Sequence, residues 1–224
     1  MRAGAARIDI TPSKSIWMDG MLRAHPSEGV HDHLFARALV LSNDEDMKQA
    51  CAIVAVNVCR LPEQAASAVR KAAAEVGIPA ERIIVAAAHI HSGPVTNGKP
   101  SEVEADYARA LVARLAQVIK EAAGSMKPVM AGCASGKEDT ISHYRRLLAD
   151  DGHVVMNWEP YPPEHIVGPL GEIDPEVGVL KLVDMSGQVL CLLFNHAGHP
   201  NVLTGDNYSI SAEYPGFAER LLEE

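Results

Sequence analysis

The residues best able to do chemistry are histidines at the ends of two apolar runs. His89-Ile90-His91-Ser92-Gly93-Pro94 closes the run Ile83-Ile84-Val85-Ala86-Ala87-Ala88, which reads as a buried strand entering a tight loop. In extended chain, side chains two residues apart share a face, so His89 and His91 are expected to project together, with Cα atoms about 7 Å apart. That spacing suits one metal ion, or one ligand beside an acid/base neighbour. It also suits two imidazoles that satisfy loop carbonyls at a strand end. The second cluster, Phe194-Asn195-His196-Ala197-Gly198-His199-Pro200, again follows an apolar run, with a glycine that permits a bend and a proline that fixes the exit. Neutral imidazole suits zinc, and three protein ligands plus a water leave the open position that hydrolysis needs. A third pair, His31 and His33, precedes a strand pattern and is expected to be structural or superficial.

These clusters need elements to hold them. Residues 4–12 alternate around Ile8 and Ile10 and stop at Pro12, which predicts a first strand. Residues 34–41 and 50–58 predict a hairpin across the polar turn Ser42-Asn43-Asp44-Glu45-Asp46. From residue 62 the period becomes helical, with Ala65, Ala66, Val69, Ala73 and Val76 on one face and Gly77 as the stop. Ser101-Glu102-Val103-Glu104 is a capping box opening a long helix that Gly124 ends. A strand is expected at 82–88 and another at 129–134, so the order strand, helix, strand, helix, strand predicts an α/β fold. The expected architecture is a layered mixed β-sheet domain flanked by helices, single over residues 1–224, with part of the sheet parallel. Residues 136–176 carry Pro160, Pro162, Pro163, Pro169 and Pro175 and read as an irregular site wall or lid. Beyond them, a turn at Met185-Ser186-Gly187 joins strands at 177–183 and 189–194.

Composition narrows the function classes. With 224 residues, 47% of them apolar, the chain can bury a substantial core. A net charge of -9 without a basic cluster argues against nucleic acid and against an anionic membrane surface. No apolar run approaches the roughly 18 residues of a membrane-spanning helix, and the first residues pass into a strand pattern without a signal region, so a cytoplasmic protein is expected. Cys51, Cys59, Cys133 and Cys191 are widely spaced, and three of them lie in apolar runs, which predicts buried free thiols.

Several motifs, in order along nearly the whole chain, resemble those of the neutral/alkaline non-lysosomal ceramidase family. They are Ala6-Arg7-Ile8-Asp9-Ile10-Thr11-Pro12, Gly29-Val30-His31-Asp32-His33-Leu34-Phe35-Ala36-Arg37, Ala88 through Pro94, Tyr144-Arg145-Arg146, Gly171-Glu172-Ile173-Asp174-Pro175-Glu176-Val177-Gly178, and residues 194–216. The His-x-His-Ser-Gly-Pro and His-Pro motifs are the most specific. The resemblance implies an amide hydrolase with an active-site zinc (Zn2+); the amide or N-acyl substrate is open between ceramide and a smaller, soluble amide or ester, since the sequence shows no large apolar patch suited to drawing a sphingolipid from a membrane. It implies His89 and His199 as zinc ligands, His91 as the neighbouring active-site histidine and Arg145, with Arg146 beside it, as the active-site arginine. His196 is open between a further metal ligand and a group that orients His199. Family members are about twice as long, so the resemblance covers the N-terminal part of a catalytic domain, and the chain reads as incomplete at its C-terminal end. A second chain or a further segment would then complete the site.

On that reading, a metal-activated water attacks the amide carbonyl, His91 hydrogen-bonds the developing oxyanion or exchanges protons, and Arg145 stabilises the negative charge. Two other readings follow from the same residues. One is a non-catalytic or accessory domain. The other is a different metallohydrolase, a lactonase or phosphoesterase, with a paired-metal site bridged by Asp32, Asp206 or Glu213.

Overall fold

The structure is a computed structural model that describes residues 1–97 and 101–224. The chain forms two compact units, one of Met1–Ala131, Lys181–Leu192 and Pro200–Glu224, the other of Gly132–Leu180 and Leu193–His199.

The first unit opens with β1 (Arg2–Asp9), the short β2 (Gly29–Val30), β3 (Phe35–Ser42) and β4 (Cys51–Val56). As the polar turn predicts, β3 and β4 pair antiparallel, and β1 lies antiparallel on the other edge of β3. Helix α1 (Glu63–Glu75) then crosses over to β5 (Ile83–Ala87), which pairs parallel to β4. Gly77 takes a φ of 87° just past α1, a conformation that costs glycine nothing and so ends the helix there. Helix α2 (Glu102–Gly124) follows. Its capping box forms, with Glu104 accepting from the Ser101 N–H at 3.0 Å.

Strands β6 (Lys127–Lys137), β10 (Glu176–Asp184) and β11 (Val189–His196) each have residues in both units. The main sheet has the order β11-β10-β6-β1-β3-β4-β5, mixed and flanked by helices, which is the α/β architecture the sequence predicts. Its core is built from small and branched side chains. Ala65, Val69 and Ala73 of α1 and Leu111, Leu115 and Val118 of α2 bury with Ala36, Ala38, Val40, Val54 and Val56 of the sheet. Small residues let the layers approach closely: a Cβ at Gly4 of β1 would overlap the Ala122 carbonyl of α2. The first unit ends with β12 (Ser209–Ile210), parallel to β2, and α3 (Glu213–Glu223).

The second unit corrects one expectation. Within residues 136–176, which read as irregular, β7 (Arg146–Ala149), β8 (Val154–Met156) and β9 (Ile166–Pro169) form a three-stranded sheet ordered β8-β7-β9. Strands of three or four residues leave too short an alternation to read. The cysteines are all free, as expected, but only Cys59 is buried; Cys51 and Cys133 are exposed and Cys191 is half-buried. Among the described residues, no helix is long and apolar enough to cross a membrane.

Candidate active and metal site around His89 and His91

Where the parallel β4–β5 ladder ends, two more backbone hydrogen bonds hold the strand ends together. Ala88 N–H donates to Val56 O at 2.9 Å, and His89 N–H to Val58 O at 3.0 Å. The crevice outside the carboxyl ends of parallel strands is where α/β sheets place ligands. There His89 turns to φ 65°, a left-handed conformation that costs a non-glycine residue of order 1–3 kcal/mol. The expected strand alternation therefore stops at Ala87, and His89 and His91 do not share the face of an extended chain. Their rings nonetheless meet edge to face, with centroids 5.0 Å apart.

His89 is exposed, and its Nδ1 lies 2.8 Å from the Cys59 carbonyl oxygen. A carbonyl only accepts, so Nδ1 carries the proton and Nε2 keeps the lone pair that a metal needs. Cys59 itself is 2% exposed, with its Sγ 3.6 Å from the same Nδ1. Burial pushes its thiol above the usual range and the nearby Asp19 carboxylate adds to that, while Arg60 opposes both. One donor atom from each of Cys59, His89 and His91 lies within 4.8 Å of the other two. Spacing along the sequence could not reveal Cys59, which closes the run at 50–58 thirty residues before His89.

His91 is held on several sides. Only 8% of it is exposed, its N–H donates to the Glu213 carboxylate, and its carbonyl accepts from Arg23 Nη2 at 3.0 Å. Gly20, at φ 90°, lies against its ring, where a Cβ would come within 2.5 Å of His91 Cγ. The 18–20 segment is itself fixed to the loop, because Asp19 N–H donates to Gly93 O at 2.9 Å and Met18 bridges to Pro94. Glu104, the capping residue of α2, accepts from Trp17 N–H at 3.0 Å and ties that segment to the helix.

Two of the carboxylates named for a paired-metal site have other work. Glu213, at the start of α3 with φ 51°, accepts from Val202 and Leu203 N–H, both at 3.0 Å, as well as from His91. Burial pushes its carboxyl up, and those three N–H groups and Arg23 recover part of the shift. Asp32 accepts from Ser211 Oγ at 2.6 Å and from Ala212 N–H at 2.9 Å. Both carboxylates thus organise the segment at 200–213, and among the described residues neither they nor Asp206 join a metal-ligating group of three. His31 and His33 are exposed, with Nδ1 atoms 2.7 Å from Asp32 and 2.6 Å from Asp9 respectively.

The second unit holds the other residues that sequence reading selected. Arg145 stacks its guanidinium over Trp158, 5.7 Å from the ring centroid, while Arg146 opens β7 and accepts through its carbonyl from Leu170 N–H at 2.9 Å. Tyr144 packs on Gly171, where a Cβ would sit 2.9 Å from the tyrosine ring, so the two motifs containing them touch. His196 is the last residue of β11 rather than a loop residue beyond it. Its Nδ1 lies 3.2 Å from Glu176 O and its Nε2 3.4 Å from Ser142 Oγ. His199 is exposed, three residues past the end of β11.

No protein-family model matches the chain. Among solved structures, it is similar to the neutral ceramidase from Pseudomonas aeruginosa, with a TM-score of 0.78 and 22% identity over 100% of this chain and 36% of that one. It is equally similar to a ceramidase complexed with C2, with a TM-score of 0.79 and 22% identity over 100% of this chain and 35% of the other. The chain thus has the fold of a part of neutral ceramidase and spans about a third of the length of these structures, in line with the resemblance of its motifs.

Proposed function

We propose that the chain is the His-x-His-bearing part of a ceramidase-like, zinc-dependent amide hydrolase that cleaves an N-acyl bond. One observation carries this reading: His89 has its Nδ1 proton committed to the Cys59 carbonyl, which orients Nε2 as a metal ligand, with the buried ring of His91 beside it. A backbone carbonyl behind an imidazole is a common arrangement that fixes the tautomer and raises ligand basicity. Imidazole nitrogen of this kind fits zinc.

Zinc, when bound, polarises an amide carbonyl and lowers the pKa of a water toward neutrality. His89 would hold the metal through Nε2. His91, fixed through its own backbone by Glu213 and Arg23 and against its ring by Gly20, would present a ring nitrogen to the developing oxyanion or exchange a proton with the attacking water. The roles of His199 and His196 as further metal ligands, and of Arg145 as the group that stabilises negative charge on the tetrahedral intermediate, rest on the sequence resemblance. So does an amide or N-acyl compound as the substrate, and so does a further segment or chain that completes the ligand set.

Plasma mass spectrometry of the purified chain, with His89→Ala and His199→Ala in parallel, tests the reading together with an N-acyl amide hydrolysis assay. About one zinc per chain, lost on His89→Ala, with hydrolysis that follows the metal, is the expected result. Poor zinc retention with no hydrolysis would give the accessory-domain reading, and retained zinc without hydrolysis would overturn the hydrolase assignment for the chain by itself. No zinc in the wild-type chain would overturn the proposal for the chain by itself.

A further inference from the structure

We infer that Cys59, His89 and His91 form a binding site for one thiophilic divalent cation, with the Cys59 sulfur as a direct ligand. The three side chains all belong to the first unit, and one donor atom of each lies within 4.8 Å of the others. The separation of Cys59 Sγ from His89 Nδ1 is 3.6 Å. A tetrahedral zinc with S at about 2.3 Å and N at about 2.0–2.1 Å has an S···N edge of roughly 3.5 Å. Two of the three ligands are buried and therefore already positioned, while His89, exposed, gives the cation its route in.

Charged groups bear on the thiol. Asp19 Oδ2 is buried without a hydrogen-bond partner among the described residues, and its Oδ1 reaches only the Gly20 N–H and, at 3.3 Å, Arg60. The Asp19 carboxylate acts on the Cys59 thiol, and the exposed Arg60, which pairs with Asp19 and also hydrogen-bonds the thiol, opposes it. A cation held by the three ligands would deprotonate the thiol outright. Soft sulfur beside imidazole selects zinc and cadmium over magnesium and calcium.

The site is a second use of His89. In the proposed hydrolytic arrangement, Nδ1 donates to Cys59 O and Nε2 would hold the metal. In the thiophilic arrangement, the S–metal and Nδ1–metal bonds form as the thiol proton leaves to solvent, the Nδ1 proton moves to Nε2, and the hydrogen bond to Cys59 O is given up. The two states compete for one ring, so cadmium, which favours sulfur more strongly than zinc does, would inhibit hydrolysis by the zinc-loaded chain. That consequence, unlike the site itself, rests on the proposed hydrolytic function.

The test uses the full chain with the exposed thiols removed by Cys51→Ser and Cys133→Ser, titrated with cadmium and followed by near-ultraviolet absorbance and calorimetry. One equivalent with a thiolate-to-cadmium band is expected, and adding Cys59→Ser should remove the band and weaken binding by about tenfold or more. A folded parent without the band at saturation, or a band that Cys59→Ser leaves unchanged, would overturn the site. Should Cys59→Ser fail to fold, the cadmium NMR shift of the parent decides, since one sulfur ligand moves it far from the range of nitrogen and oxygen ligands. N-acyl amide hydrolysis by the zinc-loaded chain reports separately on the proposed function, so either idea can fail alone.

Discussion

His31-Asp32-His33 and His89-Ile90-His91 carry the same histidine spacing in the same unit, and the fold uses them differently. Both imidazoles of the first pair are exposed and give Nδ1 to carboxylates, Asp32 and Asp9. Both rings of the second pair meet each other, and the backbone around them is held by Glu213, Arg23 and Val58. The middle residue separates the cases. Asp32 turns to the backbone at Ala212, whereas Ile90 is fully buried in the main core and anchors the loop beneath its two histidines. What makes a histidine pair a candidate site is therefore the hydrophobic anchor and the clamps behind it, not the spacing.

The contrast breaks most severely at Ile90. Ile90→Ala should cost about 2–5 kcal/mol, the range for truncating a fully buried isoleucine, and should also loosen His91. Urea unfolding measures the first effect, and hydrogen exchange of the His91 amide, now bonded to Glu213, measures the second. A loss below about 1 kcal/mol would show that the loop is held by its polar clamps alone.

Glycines beside each pair sharpen the comparison. Gly20→Ala should destabilise by about 2 kcal/mol, because its Cβ would meet the His91 ring and its φ of 90° disfavours any side chain. Gly29→Ala, near His31, meets nothing within 4 Å and should stay within about 0.5 kcal/mol of wild type. Equal effects from the two substitutions would mean that the His91 ring moves aside freely and is not positioned by Gly20.

How far the sequence disclosed these differences depends on the range of the interaction. The β3–β4 hairpin, the stop at Gly77 and the Ser101–Glu104 cap are local signals within a few residues, and all three appear in the structure. The end of strand β5 is local too, but no glycine or asparagine marks the left-handed turn at His89, so the pattern reads straight through it. Cys59 reaches His89 across 30 positions and Glu213 reaches His91 across 122, and neither pairing leaves a periodic trace. Nor do apolar neighbours guarantee burial. Cys51 starts β4 and faces outward, and Cys133 lies in a part of β6 whose residues are exposed.

The smallest expected effect lies at the surface pair. Partial burial raises the Asp9 carboxyl, but hydrogen bonds from the Thr11 hydroxyl and N–H, the latter at 2.7 Å, and the adjacent His33 outweigh it, so its pKa falls below the ordinary 3.8. The fold therefore favours ionised Asp9. Its contribution is complete above the unfolded pKa of about 3.9 and is lost as pH falls through the lower folded value. Asp9→Asn should then be less stable than wild type at neutral pH by under about 1 kcal/mol, as befits a half-exposed group near a solvated imidazole. The gap should close in strong acid. Urea midpoints at the two pH values check this: a gap that persists in acid would assign the loss to the Thr11 hydrogen bonds as such, and no gap at neutral pH would leave the His33–Asp9 contact without any energetic part in the fold.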